Sequence, residues 1–154
     1  MPANKRFEVV TINPGFIFGP PLSKQSGTSV NYITALMTGQ KTMFPNNMQF
    51  PFVDVRDVAK AHLLGIKKPD AANKRFILCA DTPTFWDMFE PVMTKYKQLG
   101  WPVTEEKSTA DPVPIAFDNS ASKRLGVVYT DLGKCVVEMA DKMVELGMVS
   151  KPAQ

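Results

Sequence analysis

Few residues in this sequence of 154 have both the type and the spacing for chemistry. There is one histidine, His62, and two distant cysteines, Cys79 and Cys135. No GxSxG, HExxH or paired Cys and His occurs, so no familiar hydrolase constellation is encoded. With one histidine and no CxxC spacing, the ligand set for zinc is missing and no metal site is expected. His62 falls mid-helix on a mostly apolar face and reads as a packed histidine. Asp54 and Asp57 lie three apart around a helix start. Capping and an ion pair with Arg56 account for them, and neither has a second carboxylate for hydrolytic work.

One stretch reads differently: Val9-Val10-Thr11-Ile12-Asn13-Pro14-Gly15-Phe16-Ile17-Phe18-Gly19-Pro20-Pro21. Pro14-Gly15 and Gly19-Pro20 let the backbone come close to a flat ligand, because Gly has no side chain in the way. The loop also follows the carboxyl end of an apolar strand, where parallel sheets bind ligands. A plain turn is the other reading.

The elements that would position this loop alternate between strands and helices, which argues an α/β fold. Residues 7–12 read as a strand apolar on both faces, as inside a parallel sheet. Residues 19–28 are loop. Ser26, Thr28 or Ser29 caps a helix over about 30–38, with Gly39 as its stop. Residues 50–55, broken by Pro51, make at best a short edge strand. A helix over 58–68 follows, with Asp57 as its cap or first-turn acid. Residues 75–80 form a second buried strand. Thr84 caps a helix to about Leu99, and Pro91 inside it predicts a kink or a late start. Residues 101–104 read as a strand and 105–114 as loop. Asn119 or Ser120 opens a short helix to Leu125. Thr130 or Asp131 caps a last helix whose Val136, Met139, Ala140, Met143 and Val144 keep strict helical spacing.

Composition fits one soluble globular domain, 44% hydrophobic and 21% charged. The net charge of +3 is spread through the chain, which gives nucleic acid binding little support. No apolar stretch is long enough to span a bilayer. The first ten residues have no apolar signal-peptide core, so an intracellular location, cytoplasmic or inside an organelle, is expected. Both cysteines read as small buried hydrophobes, in keeping with a reducing compartment.

The order of four segments carries a resemblance. They are VVTINPGFIFGPPL, GTSVNYITALMTGQ, FPFVDVRDVAKAHLLGIKKPDAANKRFILCA and FDNSASKRLGVVYTDLGKCVVEMADKMVELGMV. Together they resemble the second half of the extended short-chain dehydrogenase/reductases. The nearest branch is the dihydroflavonol reductase and cinnamoyl-CoA reductase type. FVDVRDVAKAH and DNSASKRLG are the most specific stretches. The resemblance implies residues 1–154 as a single truncated domain, the carboxyl-terminal portion of a Rossmann-like fold. That portion holds the last sheet strands and the substrate-binding lobe.

The resemblance also implies a site. The loop Pro14, Gly15 and Phe16 lies against a nicotinamide ring, and Thr28 and Ser29 approach the cofactor's phosphates. Asn31, Tyr32 and the region 43–50, including Phe44, line the substrate pocket. Asp57 has a mainly structural part at its helix. The cofactor is NADP or NAD, and the reaction is reduction of a ketone or aldehyde. Two of the family's motifs do not occur in the sequence. One is the Gly-rich fingerprint GxxGxxG or GxGxxG. The other is Tyr-x-x-x-Lys, since four positions after Tyr32, Tyr96 and Tyr129 stand Leu36, Gly100 and Gly133. A helix must present phenol and ammonium on one face for the proton transfer. No catalytic residue is therefore assigned, and the chain alone is expected to be inactive and to bind no cofactor. A protein partner completing the sheet is expected, with an interface around Val9, Val10, Ile12, Phe16 and Phe18. The alternatives are a non-catalytic accessory subunit of a larger assembly and a small binding module for an aromatic or acyl ligand.

Overall fold

A strand exists only where a neighbour completes its ladder, and that shortens the first one. The computed structural model describes residues 7–40, 47–103 and 110–152. Strand β1 is Thr11–Pro14, not 7–12, because its partner spans only four positions. Strand β2, Phe16–Phe18, follows after Gly15. Pro14 ends β1 without breaking the ladder. Thr11 and Gly15 donate their N–H groups to Lys74 and Leu78, both at 2.9 Å. Strand amides alternate in direction, so the missing N–H of Pro14 falls on the other edge, where no bond to that partner is lost.

Helix α1, Thr28–Met37, buries Tyr32, Ile33, Leu36 and Met37. Its cap is Gly27, and no side chain bonds its first amides, so the Ser26, Thr28 or Ser29 cap expected from sequence is not formed. Strand β3, Phe52–Asp54, is buried at all three positions rather than lying at an open edge. It pairs parallel with β2, Phe16 opposite Phe52 and Phe18 opposite Asp54. Helix α2, Val55–Lys67, starts three residues before the sequence-based expectation. Asp54 rather than Asp57 is its cap, accepting the Arg56 N–H at 2.7 Å. A 3-10 turn, Pro69–Ala71, then leads to strand β4, Arg75–Leu78, which pairs parallel with β1.

Helix α3, Phe85–Gln98, starts at Thr84, whose hydroxyl accepts the Asp87 N–H at 3.1 Å. It runs through Pro91 without a late start. The stripe Met88, Phe89, Val92, Met93 and Tyr96 is buried on both sides of the proline, and that burial holds the helix together. Trp101–Val103 form no strand; the Trp101 ring instead meets Tyr96 edge-on at 5.3 Å. Helix α4, Ser120–Leu125, stops at Gly126, whose φ of 101° suits glycine. Helix α5, Leu132–Glu145, is capped by Asp131, which accepts the Lys134 N–H at 2.9 Å.

The main core joins α1, α3 and α5 to the Phe18 and Phe52 side chains of β2 and β3. A smaller core packs Val53, Ala61, Leu78 and Val127 between the sheets and α2. The result is an α/β fold. Among the described residues each sheet has two parallel strands, β1 with β4 and β2 with β3. Parallel pairs this small are normally the interior of a larger sheet. No helix among the described residues is long and apolar enough to cross a membrane.

Candidate functional site

Pro14, Gly15 and Phe16 sit where β1 passes into β2, at the carboxyl end of the first parallel pair. Gly15 is required there by a close approach: a Cβ on it would lie 2.8 Å from the Pro51 side chain. The Gly15 N–H is held by the Leu78 carbonyl at 2.9 Å, and the Phe16 N–H by the Pro51 carbonyl at 2.5 Å. Those two amides fix the loop between β4 and the start of β3. They are not free donors for a ligand amide. The Phe16 side chain is half-buried.

Phe16 is the hub of an aromatic cluster. Its ring meets Phe18 edge-on at 4.9 Å and Tyr32 edge-on at 5.9 Å, with Phe50 also at 5.9 Å. Phe50 packs edge-on against Phe85 at 4.5 Å, and Phe85 lies 5.1 Å from Tyr32. Such offset and edge-on geometries suit the ring quadrupoles. The structure thus brings a loop residue, Phe16, onto Tyr32, which the resemblance led us to expect in the pocket wall. Burial of Tyr32 desolvates its phenol and pushes its pKa up. Asn31, its neighbour on α1, is exposed. Phe44 lies outside the described residues.

Thr28 and Ser29 stand in the first turn of α1, Thr28 exposed and Ser29 half-buried. The turn holds no acid. Uncapped amides at a helix start carry partial positive charge, the arrangement that receives phosphate oxygens. Ser29 lines an apolar hollow of about 430 Å³ together with Phe18, Pro20, Leu22, Val55 and Met139 among others.

The acids behave as structural groups. Asp54 is fully buried, which desolvates its carboxylate; bonds from Arg56 outweigh this and hold its pKa below the ordinary range. Arg56 reaches both Asp54 oxygens, at 2.9 and 2.6 Å, and Glu138 of α5 at 2.5 Å. Asp57 does not pair with Arg56. It accepts the N–H and hydroxyl of Thr130 at 2.7 and 3.1 Å, tying the start of α2 to the chain entering α5. His62, read from sequence as packed, is exposed, and its Nδ1 lies 2.8 Å from the Val58 carbonyl. It sits toward solvent because the buried line of α2 runs through Asp57, Ala61 and Gly65, one step around the helix. Cys79 and Cys135 are buried free thiols; burial pushes both up, away from reactivity. Among the described residues no group of three or more His, Cys, Asp or Glu could hold a metal.

Phe50, at the end of the region 43–50 expected to line the pocket, packs on Phe85 of α3, a pairing that no local sequence signal shows.

A parallel core with a Gly-containing loop at its carboxyl end defines part of a Rossmann-like α/β enzyme fold. No family model matches the chain. Individual proteins do. Cinnamoyl-CoA reductase 1 of Petunia hybrida is 31% identical over 152 residues, covering 97% of this chain and 45% of that protein. The ketoreductase azaE of Aspergillus niger is 31% identical over 149 residues, covering 90% and 44%. The yeast methylglyoxal/isovaleraldehyde reductase Gre2, crystallised with NADPH, superposes with a TM-score of 0.73 at 26% identity, covering 92% and 48%. The chain belongs to the extended short-chain dehydrogenase/reductase family and corresponds to the carboxyl-terminal half of its fold. It spans about half the length of the relatives it matches.

Proposed function

We propose that this chain is the substrate-side half of an NAD(P)-dependent reductase acting on a ketone or aldehyde. A complementary half supplies the dinucleotide fingerprint and the Tyr-x-x-x-Lys pair. The observation that supports it most is the Phe16–Tyr32 contact. It joins the loop after β1 to the helix that follows, so a flat ring against Pro14–Phe16 and a carbonyl substrate near Tyr32 would share one wall. The relative Gre2, crystallised with NADPH, and the named reductases among the relatives support the reaction class.

The residues present fit a dinucleotide in part. Thr28, Ser29 and the uncapped amides of α1 suit phosphate oxygens. The Gly15 and Phe16 amides are already bonded within the protein, so they are not donors for a nicotinamide carboxamide. When bound, the reduced cofactor supplies hydride. This chain's residues shape the pocket: Phe16, Phe50 and Tyr32 exclude water. No residue here holds or moves the proton of the reaction.

The test is NADPH consumption with a panel of ketones and aldehydes. The chain alone should show none. Addition of a complementary half, such as the part of Gre2 outside the matched segment, should restore turnover. Absence of turnover across the panel with both halves present overturns the proposal. It would leave the non-catalytic accessory subunit, which should co-purify in fixed ratio with a larger assembly and bind no dinucleotide.

A further inference from the structure

Helix α5 reaches the loop after β2 through a sulfur atom. Phe18, expected from sequence to share in an interface with Phe16, is 1% exposed and belongs to the main core. The chain leaves it at Gly19, where φ is 131°. A Cβ there would stand 2.7 Å from Val55 and 3.2 Å from the Asp54 carboxylate, so only glycine fits against the start of α2. The Gly19 N–H is buried and donates to Met139 Sδ at 3.3 Å, joining residues 120 apart. A thioether is a weak acceptor, but a buried amide without any acceptor costs more. Pro20 and Pro21 follow and have no N–H to give. Among the described residues, 20–26 make no hydrogen bond at all. Gly19 is therefore the last fixed point before Gly27, whose carbonyl accepts the Asn31 N–H of α1 at 2.9 Å. Met139, with Phe18, Pro20, Val30 and Val55, also walls the hollow that Ser29 lines.

We propose that Met139 is a positioning residue for the cofactor segment: its sulfur fixes Gly19, and Gly19 sets how the loop delivers Thr28 and Ser29. The proposal rests on the reductase reading above, in which those hydroxyls and the free α1 amides meet phosphate oxygens. The loop has no bonds of its own, so its course depends on its two ends. One end is Gly27, the cap of α1, with nothing within 4 Å of a Cβ there. No side chain caps α1, so its first turn follows the way the loop enters it. The other end is the Met139 contact, and α5 gives it a firm base, since Val136, Met139, Ala140 and Met143 are all buried. An unbranched side chain with three rotatable bonds suits a reach from a helix into an irregular gap. Leucine in its place would keep the packing and lose the acceptor. Met139 acts through Gly19 and not on the substrate.

The test begins with amide hydrogen exchange in the chain itself. Gly19 should be protected while Leu22 and Ser23 exchange freely. Met139→Leu should speed exchange at Gly19 by about tenfold, the worth of one net hydrogen bond, and leave the core amide of Val92 unchanged. Met139→Gln carries a side-chain oxygen and should restore the protection. The second measurement adds the part of Gre2 outside the matched segment and follows turnover. Met139→Leu should raise the KM for NADPH by about threefold to tenfold, with kcat and the KM for the carbonyl substrate unchanged. Simple loss of folded protein would lower apparent kcat instead. Met139→Gln should keep the parent's KM. Equal exchange at Gly19 and Leu22 in the parent chain overturns the sulfur contact, and so does a Gln variant that exchanges like an unprotected loop. Faster exchange at Gly19 in Met139→Leu with an unchanged KM for NADPH overturns the positioning role and leaves the reductase reading standing. No turnover from the parent mixture overturns both.

Discussion

Phe16 and Tyr32 stand with ring centroids 5.9 Å apart and planes at 83°, an edge-on pair joining the loop after β1 to helix α1. Tyr32 is almost completely buried, so the pair is part of the core. A double-mutant cycle with Phe16→Ala and Tyr32→Ala should give a coupling of about 0.5–1.5 kcal/mol beyond the single losses. Urea unfolding of the four proteins measures it. Additivity would mean that the two rings share no energetic contact.

Gly15 should resist substitution for packing reasons. Gly15→Ala forces a Cβ against Pro51, and the cost should be about 1–3 kcal/mol. Gly27→Ala offers a control, because nothing lies within 4 Å of a Cβ there. Thermal unfolding should separate the two. Equal melting temperatures would show that β1–β2 and β3 do not press together at this point.

Acid should loosen the chain through Asp54. Its burial raises its pKa and the Arg56 bonds lower it by more, so the folded value lies below the unfolded one. A depressed carboxylate contributes stability above its unfolded pKa and loses it as pH falls through the folded value. The loss from this group should therefore begin near pH ~4 and continue below it. Arg56→Ala removes the main lowering partner, so the folded value rises toward or above the unfolded one and this acid-dependent loss should shrink or reverse. Arg56 is 44% exposed, so its contribution is expected to be modest at neutral pH. Urea midpoints measured across pH check the direction.

Asp57 should matter for stability and not for chemistry. Asp57→Ala leaves the Thr130 N–H without its acceptor, which should cost about 1–3 kcal/mol. Turnover per folded molecule in the completed reductase should be unchanged. A large fall in turnover with normal stability would give the carboxylate a catalytic part.

Much of the secondary structure was legible because its signals are local. Thr84 and Asp131 cap helices through bonds three residues on, and Gly126 stops α4 with a positive φ. The buried stripes of α3 and α5 lie where their 3.6-residue period puts them. Legibility failed where a distant neighbour decides. Pro91 looks like a break in isolation, yet burial on both sides of it carries α3 through. Pro51 looks like a mark of an open edge, yet β3 is enclosed between β2, α2 and α5. His62 has helical spacing with apolar residues, yet it points past β1 to solvent.

The sequence by itself determined the class: alternating α and β elements, four ordered segments of reductase type, and no Gly-rich fingerprint or Tyr-x-x-x-Lys within these residues. These are matters of residue type and order, which the chain carries without folding. Only the tertiary structure decided that the Gly15 and Phe16 amides are spent inside the protein. It alone put Phe16 against Tyr32. Those facts depend on which strand lies beside which, and strand pairing joins residues 64 apart in sequence, a separation at which local propensity says nothing.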